Sequence, residues 1–337
     1  MLFRIVRQLL TISALGLLAT TASATAADTQ PVLQGDLGIH DPTMIVIDGT
    51  YVGFATGFEG GIDQGALRIK TSADGVVWKD MGALGKGIPA WVKPTIGVKP
   101  PNLWAPTISK HGDTYYLYYA ASIFGTNVSA IGLMTNPKLD PAHPADGWTD
   151  QGLVVETGAL NKFNAIDPYR IDTADGRAWL SFGSYWDGIK LRELDPASGK
   201  FKAGADTLYD LATRFGAAIE ASSILAHDGH FYLFVSYDRC CAGVTSTYKM
   251  MVGRADAVTG PYFDKTGRPM LKGYATEVEH TTGRFIGPGG EEPFEGPQGD
   301  MLVYHYYDGA DGGASKLELA PLRWSADGWP TLDPLPQ

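Results

Sequence analysis

An all-β fold, a five-bladed β-propeller, is predicted by three observations: a fivefold hairpin repeat, the wide spacing of its copies, and an excess of glycine. The 337-residue chain holds 42 Gly, about one residue in eight, with no G-x-y period, so the excess belongs to tight turns. Hydrophobic residues make up 44% and charged residues 19%, which supplies a packed core and excludes a disordered chain. Sustained helical periodicity is scarce.

The repeat is an apolar strand, a polar turn with glycine, then an aromatic-rich strand. Its copies are TMIVIDGTYVGFATG (43–57), PTISKHGDTYYLYYAAS (106–122), YRIDTADGRAWLSFGS (169–184), SSILAHDGHFYLFVSYD (222–238) and the weaker GPQGDMLVYHYYD (296–308). D-G and H-G turns between β-rich runs are hairpin signals. The turn glycines, Gly49, Gly112, Gly176, Gly229 and Gly299, stand 63, 64, 53 and 70 residues apart. That is too long for a solenoid and suits modules of about four short strands each, arranged radially around a channel. Asp74-Gly75 and Asp327-Gly328 would turn between outer strands. A β-sandwich or a parallel β-helix would leave five widely spaced hairpins without a reason.

Ahead of the repeats, Arg4 and Arg7 precede an apolar run from Leu9 to Leu18, and Ala22-Ser23-Ala24 and Ala24-Thr25-Ala26 follow as small-residue cleavage sites. Residues 1–27 therefore read as a secretory signal peptide, leaving 28–337 as a single propeller domain destined for the periplasm or the medium. No later stretch approaches the roughly 18 apolar residues of a membrane span. A net charge of −10 argues against a nucleic-acid partner, while 13 Phe, 8 Trp and 16 Tyr favour ring stacking on something uncharged. Cys240 and Cys241 are adjacent, where a bridge would be strained, and no C-x-x-C spacing offers a zinc site. Stability is thus expected from packing alone.

The repeats also register the chemistry. Asp41 lies 8 residues before its turn glycine, and Asp167 and Glu220 each lie 9 before theirs. Three blades would then carry a carboxylate at one equivalent position, facing the channel mouth. In the second copy that position falls on Trp104 or Ala105, and in the fifth on Gly290 or Glu291. A single Asp-Pro is usually a turn; three acids in register point to one cleft. Converging carboxylates with no thiol nucleophile, P-loop or G-x-S-x-G elbow match glycoside hydrolysis. There Glu220, buried behind Ile219, would act as acid, Asp41 would stay ionised as base, and Asp167 would tune the acid. Inverting and retaining outcomes both remain compatible, since the separation of the two carboxyls decides between them.

The motifs HDP (40–42), LWAP (103–106), NAIDP (164–168), FGSYWDGI (182–189), IEASS (219–223), CCAGVTSTYKM (240–250) and VYHYYDG (303–309) resemble, in order and over nearly the whole mature chain, the endo-1,5-α-L-arabinanases of glycoside hydrolase family 43. The resemblance implies an inverting five-bladed propeller with Asp41 as general base, Glu220 as general acid and Asp167 as modulator. It implies plant cell-wall arabinan or arabino-oligosaccharides as substrate, cut internally by a monomer with no organic cofactor. Trp104 would stack on sugar, Asn164, Ser184 and Trp186 would contact sugar, and His305 would help hold a calcium ion in the channel. One departure stands out: where the family often reads G-P-G-H-N, this chain has Gly287-Pro288-Gly289-Gly290-Glu291-Glu292. An exo-acting α-L-arabinofuranosidase or β-xylosidase shares the three acids, and a carbohydrate-binding propeller without activity is the alternative of another class.

Overall fold

The computed structural model describes residues 30–59, 63–85 and 87–336, so the expected signal peptide lies outside the described residues. The five predicted hairpins are the innermost strand pairs of five antiparallel sheets. The first pairs Thr43–Ile47 with Thr50–Ala55 and continues outward through Arg68–Ser72 and Val77–Ala83. The inner strands of the other four begin at Trp104, Tyr169, Ile219 and Phe285. Each sheet has four strands in sequence order, and the first gains a fifth, Gln34–Gly35, running parallel to Val77–Ala83.

Turn chemistry sets the hairpins. Asp48-Gly49 and Asp228-Gly229 have positive φ at both central residues (49° and 81°; 47° and 79°), the type I′ pattern that asparagine, aspartate and glycine tolerate best.

Alternation along each strand then builds the seams between blades. Tyr116 and Tyr118 pack with Leu180 and Phe182 of the third blade, whereas Leu117 and Tyr119 turn towards Val52, Phe54 and Leu67 of the first. In the fourth blade Leu233 and Val235 meet Trp179 and Leu191, while Tyr232 and Phe234 meet Leu302 and Tyr304. Both faces of a blade are therefore buried, and period-2 alternation directs large side chains to one neighbour or the other. The fifth seam closes the ring: Val303, Leu317 and Leu319 pack on Met44, Tyr51 and Trp78. A segment before the first blade fastens it, with Ile39 N–H donating to Ser315 O at 3.2 Å and Leu317 N–H to Leu37 O at 2.9 Å.

Adjacent Cys240 and Cys241 are bonded to one another, so a bridge joins the packing from which the sequence suggested stability would come alone. Cys241 takes φ +61°, which lets the backbone turn within one residue step.

Candidate active site

On each inner strand, or just ahead of it, a residue two before regular pairing adopts a left-handed backbone: Asp41, Ala105, Asp167, Ala221 and Gly290, with φ of 49°, 38°, 54°, 53° and 63°. Two residues later regular pairing with the second strand resumes, at Thr43, Thr107, Tyr169, Ser223 and Glu292. These five kinks form the ring at the channel mouth and line one central cavity.

This register corrects the expected equivalence of the three acids. Asp41 and Asp167 occupy the ring position, but in the fourth blade that position is Ala221, and Glu220 precedes it. Glu220 thus corresponds to Trp104, since both sit one residue before a kink and both pair with the second strand, to Ser236 and Ala120. The acids still meet. Ala221 N–H donates to Asp167 Oδ2 at 3.0 Å, so the kink that displaces Glu220 also fastens Asp167 beside it.

Their environments differ in the sense that acid and base catalysis needs. For Asp41, burial pushes the carboxyl up, but His40 more than offsets it by charge and by a contact of Nδ1 to Oδ2 at 2.8 Å. Thr56 Oγ donates to the same oxygen at 2.7 Å, and the group is held well below the usual carboxylate range. Glu220 is pushed up by burial, opposed in part by hydrogen bonds from Ser184 Oγ, at 2.7 Å to Oε2, and from Tyr248. Burial, then the nearby charges of Glu220 and Asp41, raise Asp167 well above its ordinary value. One carboxyl held low beside another pushed up is the pattern of a glycosidase pair.

A model of the glycosyl hydrolases family 43 matches residues 29–330. The chain belongs to that family. The extracellular endo-α-(1→5)-L-arabinanase 1 of Bacillus subtilis is 39% identical over 295 residues, 87% of each chain. The extracellular exo-α-(1→5)-L-arabinofuranosidase ArbA of Cellvibrio japonicus is 37% identical over 88% of this chain and 86% of its own. The solved family 43 endo-arabinanase from Bacillus licheniformis superposes with a TM-score of 0.81 at 40% identity, covering 90% of this chain and all of that one.

The remaining residues of this family 43 glycoside hydrolase divide between cleft and support. Trp104 is half-buried, its indole N–H donates to Asn102 Oδ1 at 2.8 Å, and it meets Phe124 edge-on at 6.4 Å. Phe124, to which the sequence reading assigned no role, is 80% exposed beside it. Trp186 is half-buried with φ +37°, on the turn that follows Ser184. Ser184 itself is engaged by Glu220, so it supports the acid. Asn164 is buried, and its Oδ1 accepts from Ser129 Oγ at 2.6 Å, which places it in the seam between the second and third blades, behind the cleft.

Three positioning groups escaped the sequence reading: His40, Thr56 and Tyr248. His40 and Tyr248 fall within motifs quoted for the resemblance; Thr56 ends a hairpin, where nothing in the local sequence marks it.

His305 is fully buried, stacked on His40 with ring centroids 3.8 Å apart. Donor atoms of His40, Asp41 and His305 lie within 4.8 Å of one another, the cluster among the described residues that comes nearest to an ion site. These three residues alone fall short of a calcium cage. Calcium takes six to eight oxygens, and this set offers two imidazoles and one carboxylate. Its facing atoms are also already paired: His40 with Asp41, and Asp41 N–H donating to His305 Nδ1 at 3.2 Å. A neutral ring that accepts at Nδ1 carries its hydrogen on Nε2, so the orphaned Nε2 is a donor and not a metal ligand.

Proposed function

We propose that the protein is a secreted arabinanase that hydrolyses internal α-1,5-L-arabinofuranosidic bonds of arabinan with inversion, Asp41 acting as general base and Glu220 as general acid. The observation that carries the reading is the opposite treatment of two facing carboxyls. His40 and Thr56 hold Asp41 low, as a base that activates water needs, while burial pushes Glu220 up, as an acid that donates to the leaving oxygen needs. Asp167, fixed by Ala221 N–H, adds a third carboxyl beside the acid to modulate it. Trp104, Phe124 and Trp186 supply aromatic surface for furanose rings. The apolar run after Arg4 and Arg7 and the extracellular names of two relatives support export.

The test is a product time course on linear debranched arabinan with proton NMR of the first turnover. The expected result is a fall in viscosity ahead of reducing-end release, oligosaccharides before arabinose, and new ends of inverted anomeric configuration. The exo mode has a relative of nearly equal similarity behind it. Arabinose or one short product from the first minutes would establish that mode and overturn the internal cut.

A further inference from the structure

A chain of hydrogen bonds leads from the base out of the cleft. Asp41 Oδ2 lies 2.8 Å from His40 Nδ1, and His40 Nε2 lies 2.8 Å from Tyr307 Oη. Beyond that, Cys241 N–H donates to Tyr307 Oη at 2.7 Å. A backbone N–H can only donate, which gives this last bond its direction. Tyr307 Oη accepts there, so its own hydrogen is available to His40 Nε2. A neutral ring that accepts at Nε2 carries its hydrogen on Nδ1, and the protonated ring carries one on both nitrogens, so either form presents a donor to Asp41.

Each link is held in place. Tyr307 is 4% exposed, and stacking on His305 fixes the plane of the His40 ring. Cys241 sits on a loop closed by its bond to Cys240, by Thr247 N–H to Arg239 O at 2.9 Å, and by Ala242 N–H to Ser246 Oγ at 3.0 Å. We propose that Tyr307 is a positioning residue for catalysis: through His40 it fixes the ring orientation that holds Asp41 for attack, with the Cys240–Cys241 loop as its anchor. The inference rests on Asp41 being the general base.

The experiment is a double-mutant cycle in the full-length enzyme on linear arabinan, with Tyr307→Phe, His40→Asn, both together, and Asp41→Asn as reference. Phenylalanine keeps the packing and removes only the oxygen, while asparagine keeps a donor near the place of Nδ1 and cuts the link to Tyr307. Tyr307→Phe is expected to lower kcat by about tenfold with KM within about twofold and little change in melting temperature, as for a group that orients without binding. The double variant is expected to be no worse than His40→Asn alone, because the link is already cut. Replacing both Cys240 and Cys241 by Ser is expected to lower kcat in the same sense, and it serves as the arm should Tyr307→Phe fold poorly. An unchanged kcat in Tyr307→Phe, or losses that multiply fully in the double variant, would overturn the proposal. If Asp41→Asn is itself active, the reading of Asp41 as base fails; an inactive Asp41→Asn beside a fully active Tyr307→Phe removes this inference alone.

Discussion

At the scale of single residues, the two carboxyls proposed as base and acid, Asp41 and Glu220, differ in what surrounds them. Ser184 is the first of the side chains that limit how far burial raises Glu220, ahead of Tyr248. Ser184→Ala is therefore expected to raise the Glu220 pKa further. Glu220 works only while protonated, so the alkaline limb of the kcat profile should move to higher pH, and kcat at its plateau should fall severalfold as the acid loses its orienting bond. A pH profile of wild type beside Ser184→Ala checks this; an alkaline limb at lower pH would be the wrong sign. The three acids were legible in the sequence because each lies near a recognisable hairpin. The offset of Glu220 was not. The kinked positions stand 8, 7, 9, 8 and 9 residues before their turn glycines, so counting back from a turn cannot fix the register to one residue. His40, Thr56 and Tyr248 were hidden for a different reason: their roles depend on contacts made across blades or after a kink, and neither leaves a periodic trace.

At the scale of the element, the kink two residues before regular pairing of each inner strand aims the site. Left-handed backbone costs a residue with a Cβ roughly 1–2 kcal/mol, and four of the five kinks carry one, two of them the aspartates Asp41 and Asp167. Gly290 is the exception, and crowding explains it. A Cβ there would stand 2.8 Å from His305 Nδ1 and 3.0 Å from Asp41 Oδ1. Gly290→Ala is therefore expected to destabilise the protein by about 2–3 kcal/mol, backbone strain plus overpacking, and to reduce kcat by displacing Asp41. Gly112, a turn glycine with φ +58° and open space around its missing Cβ, provides the contrast. Gly112→Ala should cost only about 1 kcal/mol and leave kcat unchanged. Urea unfolding of the two variants separates the terms, and equal losses would show that crowding at 290 contributes nothing. The fifth hairpin's Gly-Gly-Glu-Glu run reads from sequence as a departure from a motif; only the packing shows that its glycine makes room for His305.

At the scale of the whole molecule, five seams of alternating side chains hold a ring whose axis contains buried acid. Glu291 and Glu292 both lie in the channel and are pushed up to about 8 by burial, opposed by hydrogen bonds from Ser236 and Thr43. A carboxyl whose pKa is raised on folding favours the folded state fully below its unfolded value and loses that contribution as pH rises towards the folded one. Melting temperature should therefore decline between about pH 4.5 and 8 beyond what the surface charges give, and Glu291→Gln with Glu292→Gln should flatten that decline. A scan of melting temperature against pH decides it, with parallel curves as the contrary result. The donor set around His305 likewise predicts that a chelator leaves kcat within about twofold of its untreated value; a large loss, restored by calcium alone, would contradict it. The propeller itself was legible because hairpin turns and period-2 aromatics are local signals repeated five times. The strap over residues 37–39 that closes the fifth seam was not, since its pairing depends on a strand nearly 280 residues away.

The central claim, that Glu220 donates the proton and Asp41 activates the water, is tested most directly by leaving-group dependence. Glu220→Gln and Asp41→Asn would each be assayed on linear arabinan and on an aryl arabinofuranoside whose phenolate leaves without protonation. The account predicts that Glu220→Gln loses about 10³-fold on arabinan and keeps most of its rate on the aryl glycoside, whereas Asp41→Asn is inactive on both. Equal losses for Glu220→Gln on the two substrates, or an Asp41→Asn variant rescued by the better leaving group, would contradict it.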